Sequence, residues 1–380
     1  MVGRPELLST AEEASRFGAL LLEVAEASGF PVSGAVDLDL AAEAMLPHIA
    51  RYDQWIAEGN AGAMSYLVRG RDRRADPRLV LPSAQSILTV AIPYRKRAAG
   101  APSPEEGPRF ARYLEGSDYH ERIAASLEAT MKQVSVRCQE LGLALPNWKV
   151  CVDTSAVLER SWAVLTGLGW VGKNTLLINP KLGSYFFLGS VLIDRPTGRA
   201  PAPLPDFCGH CTRCLDACPT DAFDAPHALD SRRCISYLTL EKRGEFEVGE
   251  ETLAKTGSWV AGCDICQEVC PFNRKPVKEA EARDEVVPAA ELGPIAKQDW
   301  ESLLAEDEES YRARVRGTAL SRIKPREFRR NLLHALGNTL HSLPSESRDR
   351  LRERLRKSIE LCSERETDLS LKDRWLVLLK

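Results

Sequence analysis

Eight of the chain's eleven cysteines lie between Cys208 and Cys270, and their spacing constrains the fold more tightly than any apolar pattern in the sequence. The first run, Cys208-Gly-His-Cys211-Thr-Arg-Cys214-Leu-Asp-Ala-Cys218-Pro, reads C-x₂-C-x₂-C-x₃-C-P. Bacterial ferredoxins hold [4Fe–4S] clusters with that spacing: three thiolates take corners of one cubane, and the fourth serves the other cluster. The second run, Cys263-Asp-Ile-Cys266-Gln-Glu-Val-Cys270-Pro, has the same ending but lacks one early cysteine, a place that Cys234 fills. The exchange rule then groups Cys208, Cys211, Cys214 and Cys270 around one cluster, and Cys218, Cys234, Cys263 and Cys266 around the other. A pair of Cys₄ zinc sites is the alternative, because C-x₂-C pairs also hold zinc. Cys138, Cys151 and Cys362 stand singly and read as small buried side chains.

Clustered thiols point to a reducing compartment, where they serve as ligands or redox groups rather than disulfides. The first thirty residues lack a basic start and an unbroken apolar run, so no export signal is expected. The most apolar later run, residues 162–172, is too short and too glycine-rich to span a bilayer. The expectation is a cytoplasmic protein, monomeric and free of membrane. A net charge of −3 over 380 residues excludes a polybasic coat, so any nucleic-acid surface must be a local patch. No G-x-G-x-x-G follows a strand and no P-loop is present, which removes the usual dinucleotide and nucleoside-triphosphate sites.

Periodicity divides the chain into three regions. Residues 1–195 alternate helical and strand patterns and predict an α/β or α+β domain. Thr10-Ala-Glu-Glu13 is a capping box ahead of Phe17, Leu20, Leu21 and Val24 at helical spacing. Ile123, Leu127, Met131 and Val134 mark a second long helix, and residues 155–167 a third. Strands are expected at 87–94, 149–153, 175–178 and 184–193, with a loop rich in Ala, Pro and Gly over 98–108. Residues 194–206 are proline-rich and read as a linker or extended connection. The ferredoxin-like two-cluster module takes 196–275. Residues 276–380 form a polar stretch followed by amphipathic helices at 328–343 and 350–380, a C-terminal helical (HEAT-like) repeat region.

Two low-potential clusters define a wire, not a reaction. The reaction comes from a resemblance. Val152-Asp-Thr-Ser-Ala-Val-Leu-Glu-Arg160, then Gly167-Leu-Gly-Trp-Val-Gly-Lys-Asn174-Thr-Leu-Leu-Ile, then the two-cluster module and Arg-Arg-Asn331-Leu-Leu-His-Ala-Leu-Gly-Asn338 resemble the epoxyqueuosine reductase family in motif and order. The resemblance begins near residue 50. It implies reduction of epoxyqueuosine to queuosine at the wobble position of tRNA, with base-off cobalamin and two [4Fe–4S] clusters as cofactors. It also implies a low-potential electron donor of the ferredoxin or flavodoxin type. Asp153 matches the family's proton donor, and acting as an acid near neutral pH requires its pKa to rise. Arg74, Ala111, Asp153, Asn174, Leu177, Ser236, Cys263 and Asp264 match the family's cobalamin positions. His120 reads as a packed or surface imidazole rather than a cobalt ligand. The chain departs from the family at 58–67, where Glu-Gly-Asn-Ala-Gly-Ala-Met-Ser-Tyr-Leu carries no histidine.

Residues 311–330 carry eight Lys or Arg and one Glu, a local +7 that predicts a phosphate-binding stripe for the tRNA, with Arg326, Arg329 and Arg330 as the contacts. Three other readings remain open: a cobalamin-dependent reductive dehalogenase-like enzyme, a non-enzymatic iron–sulfur electron-transfer protein, and an RNA-binding protein with structural clusters.

Overall fold

The computed structural model describes residues 10–94, 103–274 and 298–379. The segment 281–297 and part of the 98–108 loop therefore lie outside the described residues. A four-stranded antiparallel sheet organises the N-terminal region, in the order Val32–Asp37, Ser86–Pro93, Phe186–Ile193, Trp148–Cys151. The run Ile87–Ile92 is apolar without alternation because both faces of its strand are covered. Leu88, Val90 and Ile92 face Phe17, Leu21, Ile123 and Leu127, from the helices Thr10–Ala27 and Tyr119–Glu140. Ile87 faces the other way, into a cluster with Met45 and Trp162 from the helices Leu38–Ala57 and Glu159–Leu165. The result is a sheet between two layers of helices, a mixed α and β fold.

The Val32–Asp37 strand has no clear sequence signal, since Ser33 and Gly34 dilute its apolar residues. Gly34 is required there: a Cβ would stand 2.2 Å from the Thr166 carbonyl oxygen. Two expected elements shrink. The helix expected over 155–167 spans only Glu159–Leu165, because residues 153–158 are taken up by an irregular turn. The strand expected over 175–178 is reduced to Leu177–Ile178, which pairs with Trp170–Val171 in a separate hairpin.

Residues 194–206 are extended but not a loose linker. Thr197 donates its backbone N–H and hydroxyl to Asp37 Oδ1, each at 2.6 Å, and Gly198 N–H donates to Oδ2 at 2.9 Å. Each hydrogen bond to a buried carboxylate contributes about 1.5–3 kcal/mol, so this strap belongs to the sheet domain.

The cysteine module is joined to that domain by a strand pair, Arg109–Phe110 running parallel to Trp259–Ala261. The helix Pro325–Ser342 locks onto the module in turn. Asn331 Nδ2 donates to the carbonyls of Thr239 and Val260, and Asn338 Nδ2 to those of Leu253 and Gly257. One apolar cluster runs from Phe17 through Val260 to Trp300, Leu336, Leu355 and Trp375. Among the described residues, the C-terminal helices are Trp300–Ala305, Glu308–Val315, Pro325–Ser342, Ser345–Arg365 and Leu369–Val377. No helix among the described residues is long and apolar enough to cross a membrane.

Candidate functional site

Asp153 follows the Trp148–Cys151 strand in a conformation that costs free energy. Its φ is +46°, in the left-handed region, and the flanking Thr154 N–H reaches back to the Val152 carbonyl at 2.5 Å. An L-residue at the centre of such a three-residue turn is strained by about 1–3 kcal/mol. Asp153 does not cap the next helix, which starts at Glu159. Its side chain is 44% exposed and projects toward the start of the Tyr119–Glu140 helix.

There His120 sits between two carboxylates. Nδ1 is 2.6 Å from Asp118 Oδ1, and Nε2 is 2.9 Å from Asp153 Oδ2. Both ring nitrogens face acceptors, so only the imidazolium, donating twice, satisfies them together. The hydrogen bond to Asp153 raises the His120 pKa against the opposing cost of burial, and Asp118 adds to the rise. Burial would raise the Asp153 carboxyl, but the bond and charge of His120, with Arg322 and Tyr119, outweigh it and hold Asp153 below the ordinary carboxylate range. The rise that an isolated aspartate would need to act as an acid near neutral pH is therefore not its direction here. Both shifts favour the proton on His120 over Asp153. Glu159 behaves oppositely: burial and the neighbouring Asp153 charge push it up to about 8, and its Oε1 accepts the Asp153 backbone N–H at 3.0 Å.

Arg322 reaches this group from a 3₁₀ turn at Ala319–Arg322, paired with Glu241 Oε1 at 2.7 Å. His120, Glu159 and Arg322 were not recognised as site residues from the sequence. Their signals were present, in Asp-Tyr-His, in Leu-Glu-Arg and in the basic run, but their partners lie 33, 6 and 81 residues away.

The eight thiols fall into two neighbourhoods. Cys208, Cys211, Cys214 and Cys270 line one cavity of about 180 Å³. Burial pushes Cys214 up to about 11, with the thiols of Cys208 and Cys270 adding to the rise. Burial likewise drives Cys266 upward, followed by the charges of Cys234, Cys214, Asp264 and Cys218. Cys263 rises for the same reason, with Cys266 and Cys234 beside it. Thiols crowded in this way become thiolates when cationic iron balances them, so the donor set fits two iron–sulfur cores. Among the described residues, no three Cys, His, Asp or Glu groups come close enough to share a single metal ion. The Trp170 indole N–H lies 3.4 Å from Cys208 Sγ, held edge-on by Phe207 and Phe272.

The positions matched to cobalamin are dispersed in character. Asn174 is buried and lines the cavity of the first thiol group; its Oδ1 accepts the Leu176 N–H and its Nδ2 has no partner. That orphaned donor suits a ligand with acceptor groups. Ala111 and Leu177 are buried, with Ala111 against Gly262, where a Cβ would stand 2.5 Å from the alanine methyl. Asp264 is buried beside Cys263 and accepts the Arg112 N–H at 2.8 Å, joining that ligand to the segment leading to His120. Ser236 and Tyr237 direct backbone N–H groups at the Cys234 sulfur. Arg74 lies over Tyr66 and contacts its carbonyl oxygen at 3.4 Å.

The expected phosphate stripe needs correction. Arg330 is fully buried, stacked on Phe246, and donates to the carbonyls of Leu238, Lys242 and Gly244. It staples the helix to the cysteine module and cannot reach an RNA backbone. Arg326 pairs with Asp368 and Glu245, and Arg329 with Glu366. Arg316 and Lys324, exposed in the same stretch, carry charge toward solvent.

The chain is similar to known proteins over most of its length. Residues 207–273 match the family described as "4Fe-4S double cluster binding domain", and residues 74–154 match "Epoxyqueuosine reductase QueG, DUF1730". An epoxyqueuosine reductase from Synechococcus sp. (strain CC9605) is 37% identical over 278 residues, covering 73% of this chain and 82% of that protein. One from Pseudomonas aeruginosa is 34% identical over 321 residues, covering 83% and 84%. A crystal structure of epoxyqueuosine reductase with a tRNA-Tyr epoxyqueuosine-modified stem loop aligns with a TM-score of 0.72 at 26% identity, over 96% of this chain and 99% of that one. The Bacillus subtilis enzyme with its catalytic aspartate loop swung out of the active site aligns at 0.71 and 26%, over 97% and 100%.

Proposed function

The chain belongs to the epoxyqueuosine reductase family and is an oxidoreductase, and we propose that it converts epoxyqueuosine to queuosine at the wobble position of tRNA using cobalamin and two [4Fe–4S] clusters. One observation carries the reading. The segment Arg109–His120 begins in the strand pair with the cysteine module, gives its Arg112 N–H to Asp264 beside Cys263, and ends with His120 on Asp153. Thiolate ligands and a proton-bearing pair are thus fixed to one short stretch of backbone. A bare electron-transfer protein has no use for that arrangement.

In this reading Cys208, Cys211, Cys214 and Cys270 hold one cluster and Cys218, Cys234, Cys263 and Cys266 the other. Arg74, Ala111, Asp153, Asn174, Leu177, Ser236, Cys263 and Asp264 would hold the corrin, with the Asn174 Nδ2 as a ready donor. When bound, reduced cobalamin supplies the electrons that remove the epoxide oxygen. Loss of that oxygen as water takes two electrons and two protons; the chain's own residues supply the first proton and solvent the second. His120 keeps it on Nε2 at rest and passes it to Asp153 Oδ2, which presents it to the departing oxygen. Asp118 holds the ring by Nδ1 throughout. Arg322 carries a cation from the C-terminal region to the same place, suited to a nucleotide phosphate. Segments 1–195, 196–275 and 276–380 then divide the work into chemistry, electron delivery and tRNA binding, with a ferredoxin or flavodoxin as donor.

The test is anaerobic reconstitution with iron, sulfide and cobalamin, followed by turnover of epoxyqueuosine-containing tRNA and mass spectrometry of the nucleosides. Queuosine that appears only with cobalamin and a low-potential reductant supports the reading. Absence of conversion by protein that holds both clusters and corrin overturns it.

A further inference from the structure

The Leu158-Glu159-Arg160 stretch stands beside Asp153 in the sequence, yet the chemistry above gives it no task. Of the four described non-glycine residues with positive φ, two adjoin or are site residues in this region of the chain, Asp153 at +46° and Thr175 at +64°. Such conformations persist only where surrounding contacts hold them. Adjacent residues at the start of one helix do so. Glu159 Oε1 accepts the Asp153 N–H at 3.0 Å, and Arg160 Nη1 donates to the Thr175 carbonyl at 2.5 Å. Thr175 follows Asn174, so the two strained turns carry the two site residues Asp153 and Asn174. The helix itself is fixed by buried Trp162, Ala163 and Leu165, which gives both side chains a rigid base.

We propose that Glu159 and Arg160 are positioning residues, a double clamp that holds the Asp153 and Thr175 turns in their left-handed, working conformations. The proposal rests on the reading of Asp153 as the proton donor only for its effect on turnover. Its structural half stands without that reading. The groups facing Glu159 are Asp153 and Cys151 from the strand end, Arg160 from its own helix and His120 from the helix opposite. A neutral Glu159 carboxyl still accepts the N–H through its carbonyl oxygen, as the amide of glutamine also does.

Amide hydrogen exchange in the intact chain is the direct test. In Glu159→Ala the peptide containing the Asp153 amide is expected to exchange at least ten-fold faster, while peptides of the central strand Ser86–Pro93 keep their protection. Glu159→Gln is expected to restore the protection. In the reconstituted enzyme, Glu159→Ala is expected to lower kcat about 100-fold at unchanged KM for tRNA, and Glu159→Gln to recover most of it. Equal protection of the Asp153 amide in wild type and Glu159→Ala overturns the clamp. So does a Glu159→Gln variant as fast-exchanging as Glu159→Ala. If Glu159→Ala fails to fold, Glu159→Asp, with its shortened reach, reads the same amide. Full turnover by Asp153→Ala would instead overturn the proton-donor reading and leave the exchange comparison intact.

Discussion

The charge on Asp118 is the cleanest place to perturb the proton-bearing pair. Asp118→Asn keeps the helix cap, because asparagine accepts the His120 N–H as well as aspartate does. What it removes is a carboxylate 2.6 Å from His120 Nδ1. Two unit charges about 4 Å apart interact by roughly 4 kcal/mol at an effective dielectric near 20. Both side chains here are 23% exposed, so solvent cuts the interaction to about 1–2 kcal/mol. Losing that charge should lower the His120 pKa, because Asp118 is one of the groups that raise it. The sign follows from the direction of the native shift. His120 is raised above its ordinary 6.5, so the relay is loaded at low pH and empties as pH rises through the raised value. Single-turnover rates of pre-reduced holoenzyme, measured from about pH 5.5 to 9, should show an alkaline limb that moves to lower pH in Asp118→Asn. The plateau at low pH should change little. Thermal stability should follow the same pattern, the contribution of His120 being complete below pH 6.5 and lost above the raised value. A profile that superimposes on wild type would refute the argument that His120 stores the proton.

Other predictions follow from the same contacts. His120→Gln should lower the rate about 100-fold or more, equivalent to roughly 3 kcal/mol of barrier, with tRNA affinity unchanged by filter binding. Arg330→Ala leaves the Leu238 and Lys242 carbonyls buried and the Gly244 carbonyl part-buried without this donor, and should destabilise the chain by about 3–5 kcal/mol in denaturant titrations. Arg316→Ala and Lys324→Ala should each reduce the slope of log affinity for tRNA against log salt by about 1, whereas surface substitutions in Leu38–Ala57 should not. Trp170→Phe removes the N–H donated to Cys208 Sγ, so one of two cluster midpoints should move to lower potential in an EPR-monitored titration while the iron content stays constant.

The elements most legible in the sequence were those with a single dominant local cause. Ile123, Leu127, Met131 and Val134 repeat at helical spacing, and all are buried on one face of Tyr119–Glu140. The run around Ile87–Ile92 is apolar throughout because helices cover both faces. Elements decided by distant contacts escaped. The Val32–Asp37 strand carries Gly34 because the Thr166 carbonyl approaches from another part of the chain, and Asp37 ends it to receive the strap at Thr197–Gly198. The prolines of 194–206 correctly indicated extended chain, but the carboxylate that ties it down lies 160 residues earlier.

The same division explains the site. Cysteine spacing is local chemistry, and the four thiols it groups as one cluster line one cavity. Arg330 departs from the expected stripe because charge density in sequence ignores which face of a helix is covered. Arg330 follows the buried Glu327 and Phe328 around the helix and turns onto the module, while Arg316 and Lys324 fall in the connections between helices and stay outside. The proton donor shows the sharpest contrast. The family resemblance singles out an aspartate, and an isolated aspartate that acts as an acid near neutral pH must hold its proton more tightly than usual. In the folded chain Asp153 holds it less tightly, because an imidazolium has been brought against it from another helix. On the proposed function the acid is therefore a pair, Asp153 with His120, joined by a contact of 2.9 Å.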